Sequence, residues 1–291
     1  MKKVGYATVF GRANAGKSTL INSILGFNLL PVTSKPQTTR DNVKAIYTDA
    51  DSQIIFLDTP GIFKPHGKLG SLLIKTAKSA LEGVDVIIYV VSAAESPNFE
   101  LCQLLDKLDT PVILAYNKID LVTATIGEDR LKRYLSNFKR KIEYLRLSAK
   151  DNYGVPELIG MIKAHLPEGE EEYSPDIVSD RPMEYVVSEM IREQCMNLLK
   201  AEVPHSIYID VKHIDESSAG IEVIGDIIVE KDSERGILIG KGGKMIAKIS
   251  HDSEERISSY FGKPVFVKLL VKTIKDWRND DKYLKRFGFE E

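Results

Sequence analysis

Cysteine is nearly absent from the 291 residues: Cys102 and Cys195 stand far apart, with no Cys-x-x-Cys. That excludes a disulfide framework and a thiolate zinc site, and fits two buried thiols in a reducing compartment. The five histidines (His66, His165, His205, His213, His251) show no ligand spacing. No run reaches the roughly 18 apolar residues of a membrane span. Even VDVIIYVVSAA at 84–94 is short and carries Asp85. Lys2 and Lys3 lead at once into strand-like sequence rather than into a leader with a cleavage site, so the expected location is cytoplasmic. Excess charge of one sign is also missing: 40 Lys and Arg face 42 Asp and Glu, so the whole-chain balance does not advertise nucleic acid. There is no internal repeat or low-complexity tract. What is present, 43% hydrophobic and 28% charged residues, is enough for sizeable cores and a soluble surface. At roughly 150 residues per domain the chain is expected to form two.

Two halves of different periodicity meet at the acidic stretch LPEGEEEYSPD, residues 166–176. The expected division is 1–166, a linker at 167–180, and 181–291. Before the stretch, short apolar runs at 4–10, 53–57, 84–91, 112–115 and 144–147 alternate with helical ones. Continuous apolar runs suit strands covered on both faces, hence an α/β domain with a mostly parallel sheet. Residues 42–48 alternate instead and read as an antiparallel edge strand. After the stretch the expected order is α-β-β-α-α-β-α, with helices at 184–200, 233–239, 244–261 and 274–286 and strands at 206–212, 220–230 and 265–272. This second, smaller domain is α+β.

Gly11-Arg-Ala-Asn-Ala-Gly-Lys-Ser18 has the spacing of a phosphate loop, with a strand before it and a helix after it. Its glycines let backbone N–H groups and a helix N-terminus face a polyphosphate. Asn14, Ala15, Gly16, Lys17, Ser18 and Thr19 are therefore candidate nucleotide contacts. Lys17 supplies charge to the β and γ phosphates, and the Ser18 hydroxyl is a Mg²⁺ ligand. Asp58-Thr-Pro-Gly61 ends the second core strand, where a carboxylate can hold the metal through water. Asn117-Lys-Ile-Asp120 ends the strand at 112–116, on the sheet edge where ligands of open α/β folds collect. The Asp120 carboxylate can accept both N1–H and the N2 amine of guanine, and adenine offers no such donor pair. Lys118 can cover the base plane and Asn117 can brace the phosphate loop. Ser148-Ala149-Lys150 can place a backbone N–H near the guanine O6.

These four segments, in this order, resemble a Ras-like P-loop GTPase domain of the translation-factor class. The resemblance implies GTP/GDP as nucleotide, Mg²⁺ as metal, and a first switch at Gln37-Thr38-Thr39-Arg40. One threonine there is to complete the metal shell with Ser18 and Asp58; Thr39 is preferred, with Thr38 as the alternate. Lys17, Thr39 and Gly61 are the candidate catalytic residues. Ile62 stands where Ras-like enzymes carry the water-orienting glutamine, so slow intrinsic hydrolysis or another device is expected. Two roles are open for Asn14: bracing the loop, or ligating K⁺ beside the phosphates as in some GTPases with a hydrophobic residue at the glutamine position.

Ile239-Gly240-Lys241-Gly242-Gly243-Lys244 is a Gly-x-x-Gly turn between two helices, open to close approach by a nucleic-acid backbone. With the element order around it, this resembles a KH domain of the prokaryotic, type II form. Charge agrees: residues 235–286 hold 13 Lys and Arg against 6 Asp and Glu, whereas 181–234 is acidic. The candidate RNA contacts are the six turn residues with Lys248, Lys268 and Lys272. Strand alternation separates Val265, Val267, Leu269 and Val271 from Phe266, Lys268, Leu270 and Lys272, and the second set could face bases or a helix. Trp277 is expected to pack under the last helix.

A GTPase domain followed by one KH domain resembles the Era-type GTPases over essentially the whole chain. Asp180-Arg-Pro182, Glu189-Met-Ile-Arg-Glu193 and Gly236-Ile-Leu-Ile-Gly240-Lys-Gly-Gly243 resemble that family's text, and Ala13 stands where it often has Pro. The resemblance implies a monomer that binds the 3′ end of 16S ribosomal RNA and acts in assembly of the 30S subunit. Some such proteins also associate peripherally with the inner membrane. A constitutive RNA-binding scaffold with a barely catalytic nucleotide site is the competing reading, supported by Ile62. A P-loop small-molecule kinase is disfavoured by Asn117–Asp120.

Overall fold

The computed structural model describes residues 1–289 apart from Pro36 and Ala201. Two compact units emerge. The first comprises Met1–Asn28, Thr39–Pro65 and Leu73–Asp180; the second comprises Leu29–Thr38, His66–Leu72 and Arg181–Glu291.

In the first unit the chain forms β1 (Lys2–Phe10), α1 (Lys17–Leu25), β2 (Val43–Thr48), β3 (Ser52–Asp58), α2 (Gly67–Ser79, whose first turns group with the second unit) and β4 (Val86–Ser92). It continues through α3 (Phe99–Leu105), β5 (Val112–Asn117), α4 (Ala124–Leu135), β6 (Glu143–Arg146), α5 (Val155–His165) and β7 (Glu168–Gly169). The sheet order is β2-β3-β1-β4-β5-β6. Only β2 runs antiparallel within that order, as its alternating sequence implies. All seven residues of β4 are buried, which is why the run reads as unbroken apolar sequence. Phe10, Tyr89, Leu114 and Tyr134 belong to one core cluster on this sheet. The loops that carry the phosphate loop, Asp58–Gly61, Asn117–Asp120 and Ser148–Lys150 leave the C-terminal ends of the parallel strands β1, β3, β5 and β6, whereas Thr39 lies in the connection from α1 to β2.

The expected linker is not a loose tether. Within the first unit β7 pairs antiparallel with β1, and the Gln53 side chain bonds Glu172 and Tyr173. Val178 accepts from Ile46 N–H and Ser179 bridges Ala45, so residues 178–179 cover the free edge of β2. Tyr173 packs on Val4, Ile46 and Ile55.

The second unit holds α6 (Met183–Leu198), α7 (Val203–Ser206), β8 (Tyr208–Ser217), β9 (Gly220–Val229), α8 (Asp232–Ile239), α9 (Lys244–Phe261), β10 (Val265–Thr273) and α10 (Asp281–Arg286). Its sheet runs β10-β9-β8, with β9 parallel to β10 and antiparallel to β8. Two expectations shift. Residue 206 ends a short helical turn seeded by Pro204, so the strand starts at Tyr208 and runs on to Ser217. The expected helix at 274–286 is broken: Asp280, extended and capping Lys282 N–H, separates a 3₁₀ turn at Trp277–Asn279 from α10. Trp277 is fully buried and donates to the Ser206 carbonyl at 2.9 Å, a packing role as expected. Both cysteines are buried, unbridged thiols; burial pushes Cys195 up to about 12.

Candidate nucleotide site and glycine turn

The phosphate loop joins β1 to α1, with left-handed Gly16 immediately before the helix. Lys17 folds back over the loop, its Nζ 3.2 Å from Arg12 O and 3.4 Å from Gly11 O. Burial pulls its ammonium down to about 8, against the opposing attraction of Asp58. Phosphate oxygens beside Nζ would raise that value again. Binding above pH 8 must then take up a proton, and triphosphate affinity is expected to fall with rising pH by up to about tenfold per unit. Calorimetry near pH 8.5 in two buffers of different ionisation heat checks this; zero proton uptake would contradict it.

Three oxygens converge behind Lys17. Ser18 Oγ lies 2.8 Å from Asp58 Oδ2 and 3.1 Å from Thr39 Oγ1, and Thr39 Oγ1 lies 2.9 Å from the same carboxylate oxygen. Two hydroxyls and one carboxylate form a hard donor set that suits Mg²⁺, which keeps waters and phosphate oxygens in the rest of its shell. Among the described residues no cluster of three or more His, Cys, Asp or Glu could hold a metal instead. The geometry also separates the two threonines: Thr38 Oγ1 turns to Lys35 O at 2.8 Å and to Thr33 Oγ1.

Gly61 and Ile62 lie against the loop. Ile62 N–H donates to Gly11 O at 3.0 Å and Ala13 N–H to Ile62 O at 3.2 Å, while the Ile62 side chain packs on the core. A Cβ on Gly61 would stand 2.5 Å from Ala13 Cα and 2.7 Å from Ala13 N, so the backbone must give way. Gly61→Ala is expected to lower GTP turnover about 10²-fold by displacing the loop. Single-turnover hydrolysis measures it, and unchanged turnover would contradict the close-approach argument.

Asn117 ends β5, almost fully buried, and ties three segments together. Its Nδ2 donates to Ala15 O at 3.0 Å; its Oδ1 accepts from Ala149 N at 3.0 Å and Lys118 N at 2.8 Å. Bracing of the phosphate loop by Asn117 is thus visible. The Ala149 N–H is directed at Asn117. Lys118 Nζ reaches Asn14 O at 2.6 Å, which stretches its stem beside the loop. Asp120 is exposed, and Ser148 Oγ contacts its Oδ1 at 2.8 Å and Asp151 Oδ2 at 2.8 Å. Gly16, Ser18, Thr39, Asp58, Asn117, Lys118, Asp120 and Ser148–Lys150 therefore line one edge of one sheet.

The candidate RNA residues divide. The turn 240–243 joins α8 to α9 with Gly240, Gly242 and Gly243 all at positive φ, and Lys241 and Lys244 are exposed on it. Lys248 lies one turn further along α9, beside Asp252 at 3.2 Å. Ile239 packs partly on the core. Lys268 and Lys272 do not join them. β10 buries Val265, Val267 and Val271 against Ile249 and Ile257 of α9, so its basic residues point to the other face. There Lys268 pairs with Glu222, 2.5 Å away, and Lys272 with Asp226, 2.6 Å away. Exposed Ile237, one turn before the glycines, was not singled out from sequence because it fits the apolar stripe of α8.

Comparison with known proteins agrees with both halves. Residues 6–118 match the family described as 50S ribosome-binding GTPase, and residues 202–278 match the KH domain family. The chain is 40% identical to the GTPase Era of Caldanaerobacter subterraneus over 99% of its own length and 98% of that protein's. It is 41% identical to the GTPase Era of Clostridium botulinum over the full length of both. A crystal structure of a variant of Aquifex aeolicus Era bound to GDP and AlF₄⁻ superposes with a TM-score of 0.94 at 34% identity, covering 99% of this chain and 100% of that one. A second, of Era with MgGDPNP and nucleotides 1506–1542 of 16S ribosomal RNA, gives 0.93 at 33% identity over 100% of both. With a Ras-like GTPase domain, a KH domain and full-length relatives at this identity, the chain belongs to the Era family of GTPases.

Proposed function

We propose that this GTPase is a nucleotide-controlled RNA-binding switch that grips 16S ribosomal RNA near its 3′ end and acts in 30S subunit assembly. The observation that carries the reading is one chain holding both an Asp120 carboxylate backed by Ser148 and a lysine-bearing Gly-x-x-Gly turn. The Era complex with a 16S fragment supports the choice of RNA. Lys17 meets the β and γ phosphates, and the loop amides surround them. Ser18, Thr39 and Asp58 would hold Mg²⁺, which when bound neutralises phosphate charge. Asn117 keeps the loop in register with the base-binding segment. With the γ phosphate in place Thr39 would complete the metal shell, and hydrolysis relaxes the first switch around it.

Ile62 packs its side chain into the core and has no group to orient water, so intrinsic hydrolysis is slow. Asn14 either braces the loop or binds K⁺ that assists the reaction; turnover equal in Na⁺ and K⁺ would leave bracing alone. The packing of Ile62 also favours a second reading, a constitutive scaffold. Peripheral association with the inner membrane rests on the resemblance alone, and no described helix is long and apolar enough to cross a membrane. The test is protection of a 16S 3′-end fragment in GTP analogue and in GDP, paired with single-turnover hydrolysis. Nucleotide-dependent protection with RNA-stimulated hydrolysis is the expected result; equal protection and no stimulation would leave the scaffold.

A further inference from the structure

Ser148 is only 2% exposed, and its hydroxyl has a single hydrogen to give. Two carboxylate oxygens stand within hydrogen-bond distance of it: Asp120 Oδ1 at 2.8 Å and Asp151 Oδ2 at 2.8 Å. Asp120 belongs to the segment after β5 and Asp151 to the loop after β6, and all three residues lie in the first unit. The Asp151 N–H, 3.4 Å from Ser148 Oγ, uses that oxygen as an acceptor and adds no hydrogen for either carboxylate.

Asp151 is held in place by its loop. Ser148 and Tyr153 exchange two backbone hydrogen bonds of 3.0 Å, which closes residues 148–153. Asn152, left-handed at φ 55°, accepts the Ser23 hydroxyl of α1 on its Oδ1 at 3.0 Å. Asp151 therefore sits beside an anchored neighbour, with its carboxylate turned back on Ser148.

One hydroxyl hydrogen satisfies only one of two carboxylates, and the other then faces an oxygen lone pair. Asp120 and Asp151 are both exposed, so in the free protein water supplies the missing donors. A base docked on Asp120 displaces that water. Guanine brings two donors of its own, N1–H and the N2 amine, and leaves the Ser148 hydrogen to Asp151. Hypoxanthine, the base of inosine nucleotides, brings N1–H alone. Ser148 must then turn its hydrogen from Asp151 to Asp120, or a carboxylate oxygen stays unpaired beside the base.

We propose that Asp151 is a positioning residue for the choice of base. By competing for the Ser148 hydrogen it keeps Asp120 short of a donor, so a base that supplies two is favoured over a base that supplies one. The inference rests on Asp120 as the group that reads guanine. A carboxylate present only to shape the loop would leave that choice alone, since backbone bonds and Asn152 already close and anchor residues 148–153.

The test measures GTP and ITP, each competing against a fluorescent guanine nucleotide. Wild type, Asp151→Ala, Asp151→Asn, Ser148→Ala and the Ser148→Ala/Asp151→Ala double variant are compared. The ratio of the two affinities is read, because removing a negative charge near a triphosphate moves both nucleotides alike and cancels. Asp151→Ala and Asp151→Asn both release the hydrogen to Asp120, and each should lower the preference for GTP about fivefold. Ser148→Ala removes the hydrogen altogether and should keep a preference at least as large as that of wild type. On that background Asp151→Ala should change the ratio by less than about twofold, since Asp151 acts through the hydroxyl. A ratio within about twofold of wild type in either Asp151 variant, or an Asp151 effect that persists without Ser148, overturns the inference. The two Asp151 variants, exposed and outside the core, decide the matter if Ser148→Ala does not fold. Wild type that binds ITP as tightly as GTP overturns instead the reading of the N2 amine by Asp120, and the inference with it.

Discussion

Asp120→Asn should exchange guanosine for xanthosine nucleotides. The carboxylate can accept two hydrogen bonds from guanine, at N1–H and the N2 amine. An amide in its place keeps one acceptor and turns a donor toward the amine. Xanthine carries a carbonyl at that carbon and suits the amide. Losing a charge-assisted pair and facing donor to donor costs roughly 3–4 kcal/mol. That corresponds to a drop of about 10²–10³ in GTP affinity, with XTP rising past it. The fold should not confuse the result, because Asp120 is exposed and its backing partner Ser148 can bond an amide oxygen as well. Competition of GTP and XTP against a fluorescent nucleotide measures the exchange. GTP affinity within about threefold of wild type would remove Asp120 from the base site.

The nucleotide half was legible for a physical reason. A parallel sheet buries its strands on both faces, so β1, β4 and β5 appear as unbroken apolar runs and the loops at their C-terminal ends are fixed in order. Residues named from four separate segments then had to meet on one edge, and Asn117 shows them joined by its contacts to Ala15 and Ala149. The structure adds what spacing could not, since two adjacent threonines differ only in which hydroxyl turns inward. Period-two alternation likewise divided β10 into two faces without saying which one α9 covers. Residues 167–180 read as a linker because composition does not register the backbone pairing of β7 or the cover that Val178 gives β2. Arg192 and Glu193 were least visible. Charged residues on an amphipathic helix ordinarily face water, and nothing in the pattern shows that the backbone of Val32 bonds Glu193 or that of Gln37 bonds Arg192.

Gly242→Asp should abolish RNA protection while nucleotide binding survives. At φ 62° the backbone there is left-handed, a conformation that Asp adopts more readily than most residues, and a Cβ would meet nothing within 4 Å. The turn therefore keeps its shape, but a carboxylate now stands between Lys241 and Lys244 where phosphates are to approach. Affinity for a 16S 3′-end fragment should fall about 10²-fold near 0.1 M salt, and the slope of log affinity against log salt should shrink by about two. Lys268→Gln and Lys272→Gln are the informative contrast. Both lysines sit on the far face of β10 and are already neutralised by Glu222 and Asp226, so each should cost less than about threefold. If the phosphates instead ran across that open face, the two lysines would have to leave their carboxylates. The losses would then reverse, with the β10 variants weakening RNA and the turn variant leaving it bound. Affinities of the three variants across a salt series decide between the faces.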